Sequence, residues 1–123
     1  MHFRYARHTN YLTEIVSFYQ QFLGFQLLGK FEDHDGYNGV FLGLPNLNWH
    51  LEFTESDAKT QSITDEDDLL VFYLNSKEEL ATKIKKAKEM GLKPKVSKNP
   101  YWQKNGVEYT DPDGFGIILT LRK

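Results

Sequence analysis

Three landmarks of this 123-residue chain recur at one spacing: Gly24, Gly39 and Pro45 reappear 67 residues later as Gly91, Gly106 and Pro112. The stretch from Gly39 to Glu55, G-V-F-L-G-L-P-N-L-N-W-H-L-E-F-T-E, reads as two strands around a Pro-Asn turn. From Asn105 to Leu121, N-G-V-E-Y-T-D-P-D-G-F-G-I-I-L-T-L repeats that layout. Gly24 and Gly91 each close an amphipathic run, so the repeat includes a helix and its stop signal. One structural unit is therefore written twice. A small sheet with a single helix leaves its other face open to water, so neither unit is complete alone and the two faces must be paired.

Taken in order, Phe3 to His8 alternates as a short strand, with Arg4, Ala6 and His8 on one face. Asn10 is placed to cap a helix in which Leu12, Ile15, Val16, Tyr19, Phe22 and Leu23 recur at three- and four-residue spacing. Phe25 to Phe31 then reads as a strand, Glu32 to Asn38 as a polar loop, and Val40 to Leu44 with Trp49 to Thr54 as a hairpin. The first unit is β-α-β-β-β over residues 1–55. Residues 56–68 are acidic and nearly free of apolar side chains, and form a linker. The second unit, 69–123, opens with the apolar run Leu69 to Leu74. Ser76 and Glu79 have capping-box spacing before a helix whose buried stripe is Leu80, Ile84 and Ala87. Val96 seeds a strand, Asn99 to Trp102 is a loop, and Gly106 to Tyr109 with Phe115 to Leu121 form the last hairpin. Asp111-Pro112-Asp113-Gly114 suits a type I turn at its centre.

With 40% hydrophobic and 15% aromatic residues the chain can fill one core, so it reads as a single domain made of the two repeats. A formal charge of −2 argues against coating nucleic acid or an anionic membrane, and the lysines from Lys83 to Lys98 map mostly to a solvated helix face. There is no cysteine, which removes thiol and disulfide chemistry and is compatible with the cytoplasm. No apolar run reaches the roughly 18 residues of a membrane span. The expected fold is α+β: two βαβββ repeats forming a curved eight-stranded mixed sheet, helices outside and a ligand cleft within.

Three phrases carry a family resemblance: S-F-Y-Q-Q-F-L-G-F (Ser17 to Phe25), H-L-E-F (His50 to Phe53) and D-P-D-G (Asp111 to Gly114). On these, nearly the whole chain resembles the glyoxalase, bleomycin-resistance and extradiol-dioxygenase superfamily, the vicinal oxygen chelate fold. A-R-H-T-N-Y-L, E-D-H-D-G-Y-N-G and N-P-Y-W resemble one small branch of it. The resemblance implies a small-molecule ligand, frequent homodimerisation and, in many members, four metal ligands from the first and last strands of each unit. Glu52 matches one ligand position, but the first falls on Arg4, which cannot ligate a metal. Leu69 to Leu74 offers no ligand, and the last position falls at or beside Ile118.

Strand parity puts His50 on the face of Glu52, about 7 Å along the strand. A buried Glu52 needs a partner, and Arg4 in place of a metal would supply it. The candidate catalytic residues are thus His50 and Glu52, and the candidate ligand-binding residues are Arg4, His8, Tyr101, Trp102 and Glu108. Tyr101 and Trp102 form a lid or wall, or plug a barrel end. Glu108 enters the cleft or, as the plainer reading, is an exposed strand carboxylate. No metal is expected. If one binds, its ligands are His8, His50 and Glu52, and the ion is Zn, Fe, Ni or Mn. The favoured function is a metal-independent small-molecule binder or proton-transfer enzyme; the alternative is a metal-dependent lyase, isomerase or dioxygenase, and a structural interaction protein is the third option. If the Arg4–Glu52 pair is buried, replacing Arg4 by Met costs on the order of 3 kcal/mol.

Overall fold

The computed structural model describes residues 1–61 and 63–122, which divide into two compact units, Met1–Ser62 and Ile63–Lys123. The first contains β1 (Phe3–His8), α1 (Leu12–Leu23), β2 (Gln26–His34), β3 (Tyr37–Gly43) and β4 (Trp49–Glu55), the expected β-α-β-β-β order. Its sheet runs β1-β4-β3-β2, with β1 parallel to β4 and β3 antiparallel to both its neighbours. The second contains β5 (Leu69–Leu74), α2 (Lys77–Glu89), α3 (Pro100–Asn105), β6 (Gly106–Thr110) and β7 (Gly116–Leu121), with strand order β5-β7-β6.

The expected α+β class and helix-backed sheets are present, but the described residues form two sheets, of four and three strands, rather than one curved sheet of eight. The strand expected at Val96 is the one that does not form. Val96 is 79% exposed, and its segment makes a single bridge, Lys95 to Glu108. It is the lone apolar residue between Lys93 and Asn99, and Pro94 removes a ladder donor. Directly after it, Asn99 accepts a hydrogen bond from the Tyr101 N–H and Pro100 occupies the first turn of α3. Tyr101 and Trp102 therefore sit on a helix, not in a loop, because proline at that position is preorganised for a helix start.

In the first unit α1 packs on β3 and β4 through Ile15, Tyr19, Phe22 and Leu23, all buried, with Phe18 added to the expected set. Leu12 and Val16 are only half-buried. The Tyr19 ring lies 5.2 Å from that of Phe53 on β4. Gly24 ends the helix in the left-handed region at φ 71°, where a side chain would be strained. Its start differs from expectation. Tyr11 occupies the cap position with no side-chain bond, while Asn10 exchanges two hydrogen bonds with the Thr60 backbone. The Leu12 N–H instead donates to the Glu55 carboxylate, 3.2 Å away on β4. A tertiary partner replaces the local cap and places an anion at the helix N-terminus. The polar stretch after Phe31 is mostly strand as well, since β2 and β3 continue to a tight turn at Asp35 and Gly36, both at positive φ.

In the second unit the capping box forms: the Glu79 N–H donates to Ser76 Oγ, and the Glu79 carboxylate accepts from the Asn75 N–H. Ala87 is fully buried and Leu80 half-buried, but Ile84 is 37% exposed, so the buried stripe of α2 is narrower than its spacing implied. Asp111 organises the β6–β7 turn, accepting at Oδ1 from the Asp113 and Phe115 N–H groups. Among the described residues no helix is long and apolar enough to cross a membrane.

Candidate functional site

Strand parity divides the first sheet cleanly. Val40 pairs with Phe53 and Leu42 with Leu51, and this face meets α1. The opposite face carries Arg4, Ala6 and His8 from β1, Phe41 from β3, and His50, Glu52 and Thr54 from β4, because successive side chains on a strand point to opposite sides. The parallel register sets Arg4 beside His50 and Ala6 beside Glu52. Phe41 lies opposite Glu52. Glycines make this face accessible to rings. A Cβ on Gly39 would stand 2.2 Å from Phe31 Cζ, and one on Gly43 would stand 3.3 Å from the His50 Cβ, so both positions let a neighbouring side chain lie close to the backbone.

Arg4 and Glu52 meet as the sequence implied: Arg4 Nε is 3.2 Å from Glu52 Oε1. The pair is asymmetric, with the arginine side chain 53% exposed and the glutamate 11%. The guanidinium carbon also lies 5.9 Å from the Phe41 ring centroid, a cation–π distance. His50 meets the same ring edge-on, with centroids 5.4 Å apart. Its Nδ1 shares a 2.8 Å hydrogen bond with Nε2 of His2. The group thus centres on Phe41, which with His2 was not among the sequence candidates. The flanking glycines in G-V-F-L-G were the available sign for Phe41. Nothing in the local sequence marks His2, which meets His50 only through the β1–β4 pairing.

Burial first, then the neighbouring His2 and Arg4, hold the His50 imidazole below its ordinary value of 6.5, against the opposing pull of Glu52. His50 is accordingly neutral at pH 7. A base with a depressed folded-state pKa takes up its proton more readily in the unfolded chain. Its contribution to stability is therefore full above pH 6.5 and is lost as pH falls through the lower folded-state value. Urea denaturation well above and well below pH 6.5 should show the wild type losing more stability on acidification than His50→Gln. Parallel losses in the two proteins would remove His50 from the titration.

The remaining candidates do not join this group. His8 shares the face of Arg4, but its Nδ1 bonds Thr54 Oγ1 at 2.8 Å and its Nε2 bonds Ser56 Oγ at 3.1 Å. Both ring nitrogens are thus engaged by hydroxyls. Glu108, in the second unit, is not an exposed carboxylate: it is 3% exposed, with Oε2 3.9 Å from Lys95 Nζ. Lys95 in turn reaches Glu66 at 3.5 Å. Tyr101 and Trp102 contact each other edge-on, with centroids 4.8 Å apart.

Residues 3–54 match the family model of the YycE-like N-terminal domain, and residues 67–120 that of the YycE-like C-terminal domain. The protein YycE of Bacillus subtilis (strain 168), itself uncharacterised, is 44% identical over 121 residues, covering 98% of this chain and 87% of that protein. The chain belongs to the YycE-like family. A crystal structure of a YycE protein of unknown function from Bacillus subtilis superposes with a TM-score of 0.91 at 42% identity, covering 99% of this chain and 90% of that one. Glyoxalase I of Leishmania major gives 0.71 at 22% identity, covering 96% and 84%. The fosfomycin resistance protein FosX of Listeria monocytogenes gives 0.69 at 14%, covering 98% and 89%. At such identities the likeness is one of fold, and the fold is that of the vicinal oxygen chelate superfamily. The two family models cover one repeat each and leave residues 55–66 between them.

The four-ligand metal pattern of that superfamily does not fit the residues present. On the register that the resemblance implies, its first position falls on Arg4, whose guanidinium is bound to Glu52, and its last at or beside the buried Ile118. His50 Nδ1 is taken by His2. Among the described residues no group of three or more His, Cys, Asp or Glu side chains is arranged to hold a metal ion.

Proposed function

We propose that this YycE-like protein binds a small anionic ligand with an apolar body, without a metal, on the face of β1, β3 and β4 that carries Arg4, Phe41, His50 and Glu52. The supporting observation is the Arg4–Glu52 pair above Phe41. Arg4 engages Glu52 through Nε, and its half-exposed guanidinium retains donors suited to a carboxylate or phosphonate. Phe41 offers an apolar surface beside that charge. The E126Q mutant of FosX, which shares the fold, has been crystallised with Mn(II) and 1S,2S-dihydroxypropylphosphonic acid; the phosphonate class is the natural first probe. A second reading, proton-transfer catalysis, draws on the neutral His50 with its hydrogen bond to His2, since a base must be unprotonated at its working pH. Assembly as a homodimer belongs to the same proposal and rests on the superfamily resemblance, and a cytoplasmic setting is proposed from the cysteine-free composition.

Calorimetric titration of chelator-treated protein with phenylphosphonate tests the reading. Replacing Arg4 by Met should weaken binding by about tenfold or more, with Lys intermediate, because the fixed planar donor set is lost. The same change should cost about 1–2 kcal/mol of stability, since the half-exposed arginine discounts the pair while the buried Glu52 loses its partner. Unchanged affinity in Arg4→Met, or binding that needs added divalent metal, would sink the proposal.

A further inference from the structure

The face that carries Arg4 has an aromatic half that the anion contact leaves unused. β2 pairs with β3 so that Phe31 stands opposite Gly39 and Phe41 opposite Gly29, and residues paired in this way project to the same side of a sheet. Phe41 in turn pairs with Glu52. Phe31, Gly39, Phe41 and Gly29 therefore all lie on the Glu52 face. Each ring leans across the glycine of the facing strand: a Cβ on Gly29 would stand 3.1 Å from Phe41 Cδ2, and the tip of the Phe31 ring already fills the place of a Cβ on Gly39. The two rings are 5.9 Å apart, tilted by 49°, and both are half-buried, so each keeps part of its apolar surface open. In the strand order β1-β4-β3-β2, the Arg4 guanidinium, the Phe41 ring and the Phe31 ring follow one another in steps of 5.9 Å. Ring-on-glycine pairs stabilise a sheet by themselves. Two of them in line with a half-exposed arginine also give a flat apolar surface, fixed in advance, that leads away from a positive charge.

We propose that the ligand of this face is a planar aromatic acid of two fused or linked rings, with its carboxylate or phosphonate at Arg4 and its rings laid over Phe41 and Phe31. The inference rests on the anion reading above and adds the substrate class to it, with Phe31 and Gly39 as the residues that set the preference for a flat, extended body.

The test is calorimetric titration of the chelator-treated full chain with naphthalene-2-phosphonate, phenylphosphonate and cyclohexylphosphonate. The naphthyl compound should bind about tenfold more tightly than the phenyl compound, from the apolar area its second ring buries. The phenyl compound should bind about threefold or more better than the cyclohexyl one, which is of similar size but cannot stack. Gly39→Ala should abolish most of the naphthyl advantage, because the new Cβ drives the Phe31 ring from its place without touching Arg4. Phenylphosphonate, which reaches only Phe41, should bind that variant and the wild type alike. Phe31→Ala should behave as Gly39→Ala does, and Phe31→Tyr should keep the naphthyl advantage. Equal affinity for the three compounds would overturn the inference, and if Arg4→Met still weakened all three, the anion reading would stand without it. A naphthyl advantage that survives both Gly39→Ala and Phe31→Ala would overturn it as well. Binding of none of the three would remove both readings. If Gly39→Ala failed to fold, the three compounds on the wild type and on Phe31→Ala would still decide.

Discussion

Truncating Phe53 to alanine is expected to lower the unfolding free energy by about 3–5 kcal/mol, a large part of the stability of a domain this size. Phe53 is fully buried, its ring lies 5.2 Å from that of Tyr19 on α1, and the Arg7 guanidinium carbon stands 5.0 Å from its centroid. It is therefore the contact that fastens the helix to β4 and provides the surface on which a buried arginine rests. Removing the ring leaves a void that rigid strands on either side cannot close, which is why large-to-small changes at such positions cost more than the transfer energy of the lost atoms. The consequence reaches the candidate site, because Glu52 and Thr54 flank Phe53 on the same strand and point to the other face. Urea denaturation followed by circular dichroism would measure the loss. Phe53→Leu should recover roughly half of it, since most of the buried volume is restored. A loss under about 1 kcal/mol for alanine would mean that α1 is held chiefly by other contacts.

Replacing Asp111 by alanine should cost about 2–4 kcal/mol, which makes this turn residue as consequential as a core side chain. Asp111 is 4% exposed. Its Oδ1 accepts from the Asp113 N–H at 2.9 Å and the Phe115 N–H at 3.1 Å. Its own backbone N–H and carbonyl bond the Phe115 carbonyl and the Gly114 N–H, each at 2.9 Å. Alanine would keep the backbone bonds and leave two amides without their charged acceptor, and unmade bonds to charged groups are the costly kind. Asparagine retains an oxygen at the same place and should lose about half as much. Thermal melts of the two variants, with hydrogen exchange at the Asp113 and Phe115 amides, would check this. Equal melting temperatures for the alanine variant and the wild type would show that the backbone bonds alone hold the turn.

What the sequence determined by itself is whatever depends on near neighbours along the chain. Gly24 and Gly91 end their helices because a left-handed residue without a side chain is a local requirement, and both have positive φ. Ser76 caps α2 because its hydroxyl and the Glu79 N–H are three residues apart in any helix. His50 and Glu52 share a face because side-chain parity on one strand needs no tertiary information, whereas Arg4 was set beside Glu52 by the superfamily resemblance and meets it through the β1–β4 register. Tertiary structure decided the rest, wherever two distant groups competed with a local option. Asn10 gave up its cap to bond Thr60, while the helix N-terminus took the Glu55 carboxylate instead. Val96 did not become a strand, because a single apolar residue beside proline has too little to pack, whereas Asn99 and Pro100 had a helix start available. Glu108 was buried beside Lys95 because the Lys95 backbone bridges to its strand, and alternation alone names a face without saying what covers it. The same holds for His2 and His50, 48 residues apart. Local periodicity fixes which way each side chain points, but the partner that it meets is set only when strands far apart in the chain come into register.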